Sequence, residues 1–427
     1  MSRKNIRLSK KAGIMYFANR GTLSSEHRIH GWLTRERVLL YSCTTLVLCA
    51  IVLAAWYWTS GGFMRVEAAR PGVDFSVFWT ASHLMLNGSP AAVYDYPAFA
   101  RAESALFGAY LNHGFLPWLY PPTLLLLVTP FALFPYAVSY GLFVCMGLWL
   151  FATSTLGVTG FAARFGRPRL AALVVLAYPG VFVAAVVGQN ALLTAALMAF
   201  AVRWSERHPV RAGICIGLLA IKPQLAVLFP VVLIVARAWK TIWAAAISAG
   251  LFTAASVLVC GPQSLRAFLD GTRVARELVL EHRIPYWFAS PTPFAALRLA
   301  DASIAMSYAV QGAVALIAAA AACYVWRRTR DLRMRSAALA VATLLANPYL
   351  WFYELTWLGV ALVCLVACGL EKGWHRGEQA ILVLAWLLPL YEYFNRLTLW
   401  PQIGPVVLLL TLLAIVRRTR LEMKVAS

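Results

Sequence analysis

The sequence reads as an all-α polytopic membrane protein, and three observations lead there. Hydrophobic residues make up 61% of the 427 residues and charged residues only 13%, about half the ~25% usual in soluble chains. Apolar windows close to the roughly 20 residues that cross a bilayer as a helix recur along the chain. The polar breaks between them alternate, one rich in Lys and Arg and the next not, as the positive-inside rule describes. No stretch shows the two-residue alternation of a membrane β-barrel.

The formal charge of +21 does not point to nucleic acid. With the basic breaks placed inside, that side holds 28 Lys/Arg against 7 Asp/Glu, and the outer side 10 against 10. The whole excess therefore faces anionic lipid. The eight cysteines lie in or beside apolar segments, without Cys-x-x-Cys or Cys/His spacing, and read as small apolar side chains. No Asp-x-Asp pair suggests a divalent metal, so neither metal nor cofactor is expected.

Residues 1–37 form a basic tail, expected in the cytoplasm. Residues 38–427 form one multi-span domain. The first span, 38–58, runs outward and ends in Trp56, Tyr57 and Trp58, rings suited to the interface. A long outer loop follows, 60–120. Within it Phe75, Phe78, Trp79, His83, Met85 and Leu86 recur at helical spacing, which predicts an in-plane helix. Asp74 suits its N-cap, and Asn87-Gly88-Ser89-Pro90 ends it. A second short helix is expected over 97–107. The apolar region 123–160 contains Pro130 and Pro135. It is too long for one span and short for two, so a broken element plus a full crossing is expected.

Residues 170–187 are read as one outward crossing to Gly188-Gln189-Asn190, with 191–202 returning inward. Residues 212–221 lead to Lys222-Pro223-Gln224, and 225–236 return. These segments are short, which predicts that both polar tripeptides lie recessed in an outer cavity. A further span, 242–260, leads to a second long outer loop, 261–301, with an amphipathic helix over about 263–281. Residues 304–326 return to a strongly basic inner loop, and four more spans follow. The total is roughly twelve, with both termini inside.

Asp74 stands out among the acids because it precedes an aromatic run at the water–lipid boundary. Lys222 is the only lysine of the outer half. Gln189, Asn190 and Gln224 are amides at the same level, suited to sugar hydroxyls or to interhelical hydrogen bonds. Glu354, beside Tyr353, suits an acceptor site or a paired carboxylate. His282 and Arg283 stand on the second outer loop, as phosphate ligands or plain surface charges. His83 is expected to be structural, and Asp95 a turn residue.

The series Asp74-Phe75 … Phe78-Trp79, Tyr94-Asp95, Tyr120-Pro121-Pro122, Gly188-Gln189-Asn190 and Lys222-Pro223-Gln224 resembles glycosyltransferase family 87, from about residue 38 to 298. That resemblance implies a GT-C-type fold. It also implies transfer of a hexose, such as mannose, from a polyprenyl-phosphate carrier at the outer face. The acceptor would be a glycolipid or polysaccharide. The resemblance makes Asp74 the base. An inverting transfer also needs positive charge at the departing phosphate, expected from Lys222 with His282 and Arg283. Many members carry Trp-x-His in a late outer loop. Here the corresponding stretch, Asn347-Pro348-Tyr349-Leu350-Trp351-Phe352-Tyr353-Glu354, has no histidine. The expected location is a bacterial inner membrane with the site on the periplasmic side. A lipid or solute transporter would instead need two related halves with a mid-membrane site. A non-catalytic envelope assembly factor would fit the missing histidine.

Overall fold

In a computed structural model, residues 31–63, 65, 70–108 and 116–426 are described. Most of the expected basic tail, residues 1–30, lies outside them. Of the described residues 81% are helical, and none lies in a strand. Helix α1 is Arg35–Thr59. The segment after α1 holds α2, Val73–Leu86, and α3, Tyr96–Phe107, whose N-cap is Asp95: its carboxylate accepts the Ala98 N–H at 2.9 Å. The proline-broken region gives the short α4, Pro122–Val128, a 3-10 turn at Thr129–Leu133, and a full-length α5, Tyr136–Thr159.

The expected single crossing at 170–187 is instead two helices, α6, Pro168–Leu176, and α7, Pro179–Val187, bent by 68°. The reason is local. The residue before a proline is driven out of the α region, and Tyr178 sits at φ −61°, ψ 125°. Its buried ring fills the bend. A Cβ on Gly180 or on Gly359 would lie 2.5 Å from that ring, and the hydroxyl donates to the Leu355 carbonyl at 3.0 Å.

Then come α8, Ala191–Trp204, and α9, Pro209–Leu218. Two 3-10 turns, Leu219–Ile221 and Pro223–Ala226, lead to α10, Leu228–Val235. Helix α11, Trp239–Cys260, precedes α12, Pro262–Val274, which loosens into a π-helical stretch at Ala275–Glu281. A one-turn helix at Ile284–Phe288 and a 3-10 turn at Phe352–Leu355 accompany the longer elements that remain: α13, Pro293–Leu299; α14, Ile304–Arg328; α15, Leu332–Ala346; α16, Thr356–Lys372; α17, Glu378–Thr398; and α18, Gly404–Ala426. Among the described residues five helical segments can cross a membrane by length and composition, or six with the bent pair as one span. The figure of about twelve also counts the shorter segments.

Burial ranks these helices. α15 and α16 are almost entirely buried, while α1 and α11 leave most of their apolar surface uncovered. The centre of the fold is thus an apolar helix pair, and the periphery presents apolar side chains outward, as a membrane protein must. Helix α9 packs on α11 through small residues: a Cβ on Gly213 would lie 2.4 Å from Ala244 Cβ, and one on Gly217 2.6 Å from Ser248 Cβ. Such contacts let helix backbones approach without a hydrophobic driving force between them. Gly217→Leu should therefore separate α9 from α11 and lower the thermal midpoint in detergent, with a cost of ~1–3 kcal/mol from overpacking. Gly250→Leu, in α11 with nothing within 4 Å of its Cβ position, should leave the midpoint in place. Equal midpoints for the two variants would refute the small-residue seam.

Candidate active site

The site begins where the start of α2 meets the end of α7. Gly72 and Gly188 both have positive φ, 81° and 77°, a region open to glycine and costly for other residues. The Gly72 N–H donates to the Val186 carbonyl at 2.7 Å, and the Tyr136 hydroxyl donates to the Gly72 carbonyl at 2.7 Å. A Cβ on Gly188 would lie 2.6 Å from Phe75 Cβ and 3.3 Å from Gly72 Cα. Two turns of backbone thus touch. Phe75, buried behind them, packs with Phe131, Tyr136, Tyr140 and Phe143 at ring separations of 5.1–5.9 Å.

This contact aims Asp74 at Gln189. The expectation that Asp74 caps its helix is corrected: the N-cap is Gly72, without a side-chain cap bond, and α2 starts at Val73. A left-handed glycine can start a helix without a capping side chain, so the Asp74 carboxylate in the first turn is released. Its Oδ2 accepts from Gln189 Nε2 at 3.0 Å. The Gln189 amide is oriented by its neighbours. Its Nε2 also lies 2.9 Å from the Tyr120 hydroxyl, and its Oε1 accepts the Asn190 N–H at 3.2 Å. Asp74 keeps a solvent-exposed edge but is otherwise enclosed. Burial raises its pKa from 3.8 to about 6, against the Gln189 hydrogen bond and the charges of Lys222 and Arg396, which lower it. Burial, with the nearby Asp74 charge, keeps the Tyr120 hydroxyl protonated well beyond the usual tyrosine range.

The second half of the site is a buried ion pair. Lys222 follows the 3-10 turn that ends α9 and is 5% exposed, and Glu354 is 3% exposed. Their Nζ and Oε1 lie 2.5 Å apart. The other Glu354 oxygen accepts the Trp351 N–H at 2.9 Å. The ammonium also stands over the Tyr353 ring at 5.0 Å and the Tyr120 ring at 5.5 Å. Tyr120 therefore touches both halves, Gln189 through its hydroxyl and Lys222 through its face. Glu354, expected as an acceptor ligand or a paired carboxylate, is observed paired, and Lys222 is neutralised by it.

Residues 118–348 match glycosyltransferase family 87. The chain belongs to that family. It is a membrane glycosyltransferase. Neither the curated proteins nor the solved structures contain a match. The matched region includes Tyr120, Gln189 and Lys222, while Asp74 and Glu354 lie outside it.

The other anticipated residues of this family-87 glycosyltransferase fall at different depths. Asn190 is fully buried, and neither polar atom of its side-chain amide has a partner. With Phe143, Gly147 and Leu192 it lines a small cavity beside Gln189. Gln224 is half-buried in the turn after Lys222. His282 and Arg283 are exposed; the His282 ring bonds the Glu277 carbonyl at 2.6 Å, and Arg283 acts electrostatically on Tyr349. His83 stacks on Trp79 at 5.5 Å and bonds Asn87 at 2.9 Å, a structural role. Two participants carried no functional expectation. In the sequence Tyr120 stands out only within a Tyr-Pro-Pro string, and Arg396 belongs to no motif. A buried hydroxyl and a distant charge have no local sequence signal.

The ion pair should be coupled. Removing one partner leaves an unpaired buried charge, which typically costs ~3–5 kcal/mol. Lys222→Met and Glu354→Leu should each lower the thermal midpoint strongly, and the double variant by much less than the two added. Additive losses would mean that the pair is not a unit.

Proposed function

We propose that this glycosyltransferase is an inverting enzyme that moves a hexose, mannose in the first instance, from a polyprenyl-phosphate carrier to a glycolipid or polysaccharide acceptor. The site would face the outer side of a bacterial inner membrane. The observation that carries this reading is the Asp74 carboxylate, half-buried in the first turn of α2 and held by Gln189 without a direct cation.

Glycosyl transfer with inversion needs a base on the acceptor side of the anomeric carbon. In the proposed step the acceptor hydroxyl oxygen bonds that carbon while its proton passes to Asp74. The carbon–oxygen bond to the carrier phosphate breaks, and its electron pair leaves with the phosphate. A base with a pKa near 6 is ionised at neutral pH and stronger than an ordinary aspartate. Gln189 and Tyr120 hold its orientation. Asn190, Gln224 and Tyr353 are proposed to contact sugar hydroxyls. The Lys222–Glu354 pair, nearly neutral overall, is proposed as a polar wall of the same site, linked to Gln189 through Tyr120. Arg283, exposed beside Tyr349, and His282 are proposed at the rim towards the carrier headgroup. The broken helices between α4 and α10 would leave room for the isoprenoid chain.

Two measurements test the assignment, both on purified protein incubated with polyprenyl-phosphate sugars and a lipid extract. Asp74→Asn should reduce transfer by ~10²–10⁴-fold, the range for loss of a general base, at an unchanged thermal midpoint. Transfer that survives in this variant would remove Asp74 from the role. The pH profile carries a sign. Asp74 acts ionised, so kcat/KM should rise with pH and reach half its maximum at about 6. Gln189→Leu removes a hydrogen bond that favours the ionised form, so the limb should move to higher pH. A shift to lower pH, or none, would contradict the contact.

A further inference from the structure

Departure of a phosphate monoester needs a cation that is not already neutralised. Lys222 is bonded to Glu354 in the interior. Two of the other outer cations are already tied to partners. Arg276 pairs with Glu277 and Glu281 at 3.3 and 3.4 Å. Arg298 lies over the Trp287 ring at 4.8 Å and donates to the Ala302 carbonyl at 2.6 Å.

Arg396, in the last turn of α17, is exposed and forms no ion pair among the described residues. Its guanidinium lies 4.4 Å from the centre of the Tyr393 ring and 5.6 Å from that of Phe352. The two rings lie 5.4 Å apart, at 85°. An aromatic shelf thus fixes the guanidinium while leaving N–H groups at its edge unused. Phe352 packs on Tyr353 at 5.3 Å, and Tyr353 faces Lys222 at 5.0 Å. One continuous set of contacts therefore joins Arg396 to the polar wall of the site.

We infer that Arg396 is the ligand for the phosphate of the isoprenyl-phosphate carrier, gripping it by its planar edge from the Tyr393–Phe352 shelf. This rests on the proposed reaction and assigns the phosphate subsite within it. Arginine suits this task because its fork matches two phosphate oxygens, its charge is permanent, and it stacks on rings. The placement also separates the two charges the step creates. The proton goes to Asp74, and the electron pair leaves with a phosphate held by Arg396, so the buried pair need not open during transfer. Arg396 also joins Lys222 among the cations that favour the ionised form of Asp74.

Farnesyl phosphate, a short isoprenyl phosphomonoester, is the probe. Its binding to the full-length protein in detergent is measured directly and as inhibition of transfer. Inorganic phosphate and phosphatidylglycerol are parallel ligands. Arg396→Gln should weaken farnesyl phosphate binding by roughly 10- to 100-fold, the value of hydrogen bonds to a charged group. Arg396→Lys should restore part of the loss, and Arg266→Gln, another exposed outer arginine, should change nothing. Inorganic phosphate should bind far more weakly than farnesyl phosphate. Equal affinity of wild type and Arg396→Gln, at matched thermal midpoints, overturns the assignment. So does an equal loss with Arg266→Gln, which would mean a diffuse field, or an Arg396-dependent affinity for phosphatidylglycerol as large as for the probe, which would mean a lipid anchor. The proposed reaction stands or falls separately. If Asp74→Asn abolishes transfer while Arg396→Gln binds normally, only the phosphate subsite is wrong. If wild type transfers from no isoprenyl-phosphate donor and binds no farnesyl phosphate, both are wrong.

Discussion

The contact between Gly72 and Gly188 is the constraint on which the site depends. Two backbone turns approach until a Cβ on Gly188 would collide with Phe75 and reach the Gly72 backbone. The Gly72–Val186 hydrogen bond locks them. Asp74 is two residues beyond one turn, and Gln189 one residue beyond the other. Their hydrogen bond follows from the backbone geometry, with little freedom left to the side chains. The bend at Tyr178–Pro179 serves the same end, because it turns α7 away from α6 and delivers its C-terminus to the start of α2.

Charge distribution within the site has a physical logic. A carboxylate paired directly with a buried lysine would be held ionised and would be a weak base. Here the lysine is committed to Glu354, so Asp74 feels Lys222 only at a distance and retains the basicity that burial confers. Isolated, either member of the Lys222–Glu354 pair would be costly to bury. Together, with the Trp351 N–H on the second carboxylate oxygen and two rings facing the ammonium, they satisfy one another.

Short and broken helices are what place such groups inside a membrane protein. Backbone that leaves a regular helix must find partners or face a cavity. Lys222 stands between two 3-10 turns, and the adjoining Ala220 carbonyl accepts from the Thr123 hydroxyl at 2.8 Å. The break in α9–α10 is therefore tied to the start of α4, two residues beyond Pro121 and the Tyr120 beside Gln189. Interruptions in three separate apolar stretches converge on one volume.

Sequence alone determined the class and singled out the candidates. An apolar composition with basic breaks leaves helical spans as the solution for the backbone, and an ionisable residue between apolar runs is conspicuous wherever it lies. Asp74, Gln189, Lys222 and Glu354 were all legible as polar groups beside apolar runs, as was a helix over Val73–Leu86. Their pairing was not, because ion pairs and hydrogen bonds across 115 and 132 residues of chain have no local pattern. Tertiary structure decided that Gly72, and not Asp74, begins the helix, that 170–187 bends at Pro179, and that Lys222 is spent on Glu354. It also stacked Arg396, near the far end of the chain, on Phe352, next to the Tyr353 that faces Lys222. Burial and distance set the strength of a charge, and both exist only once the helices have packed.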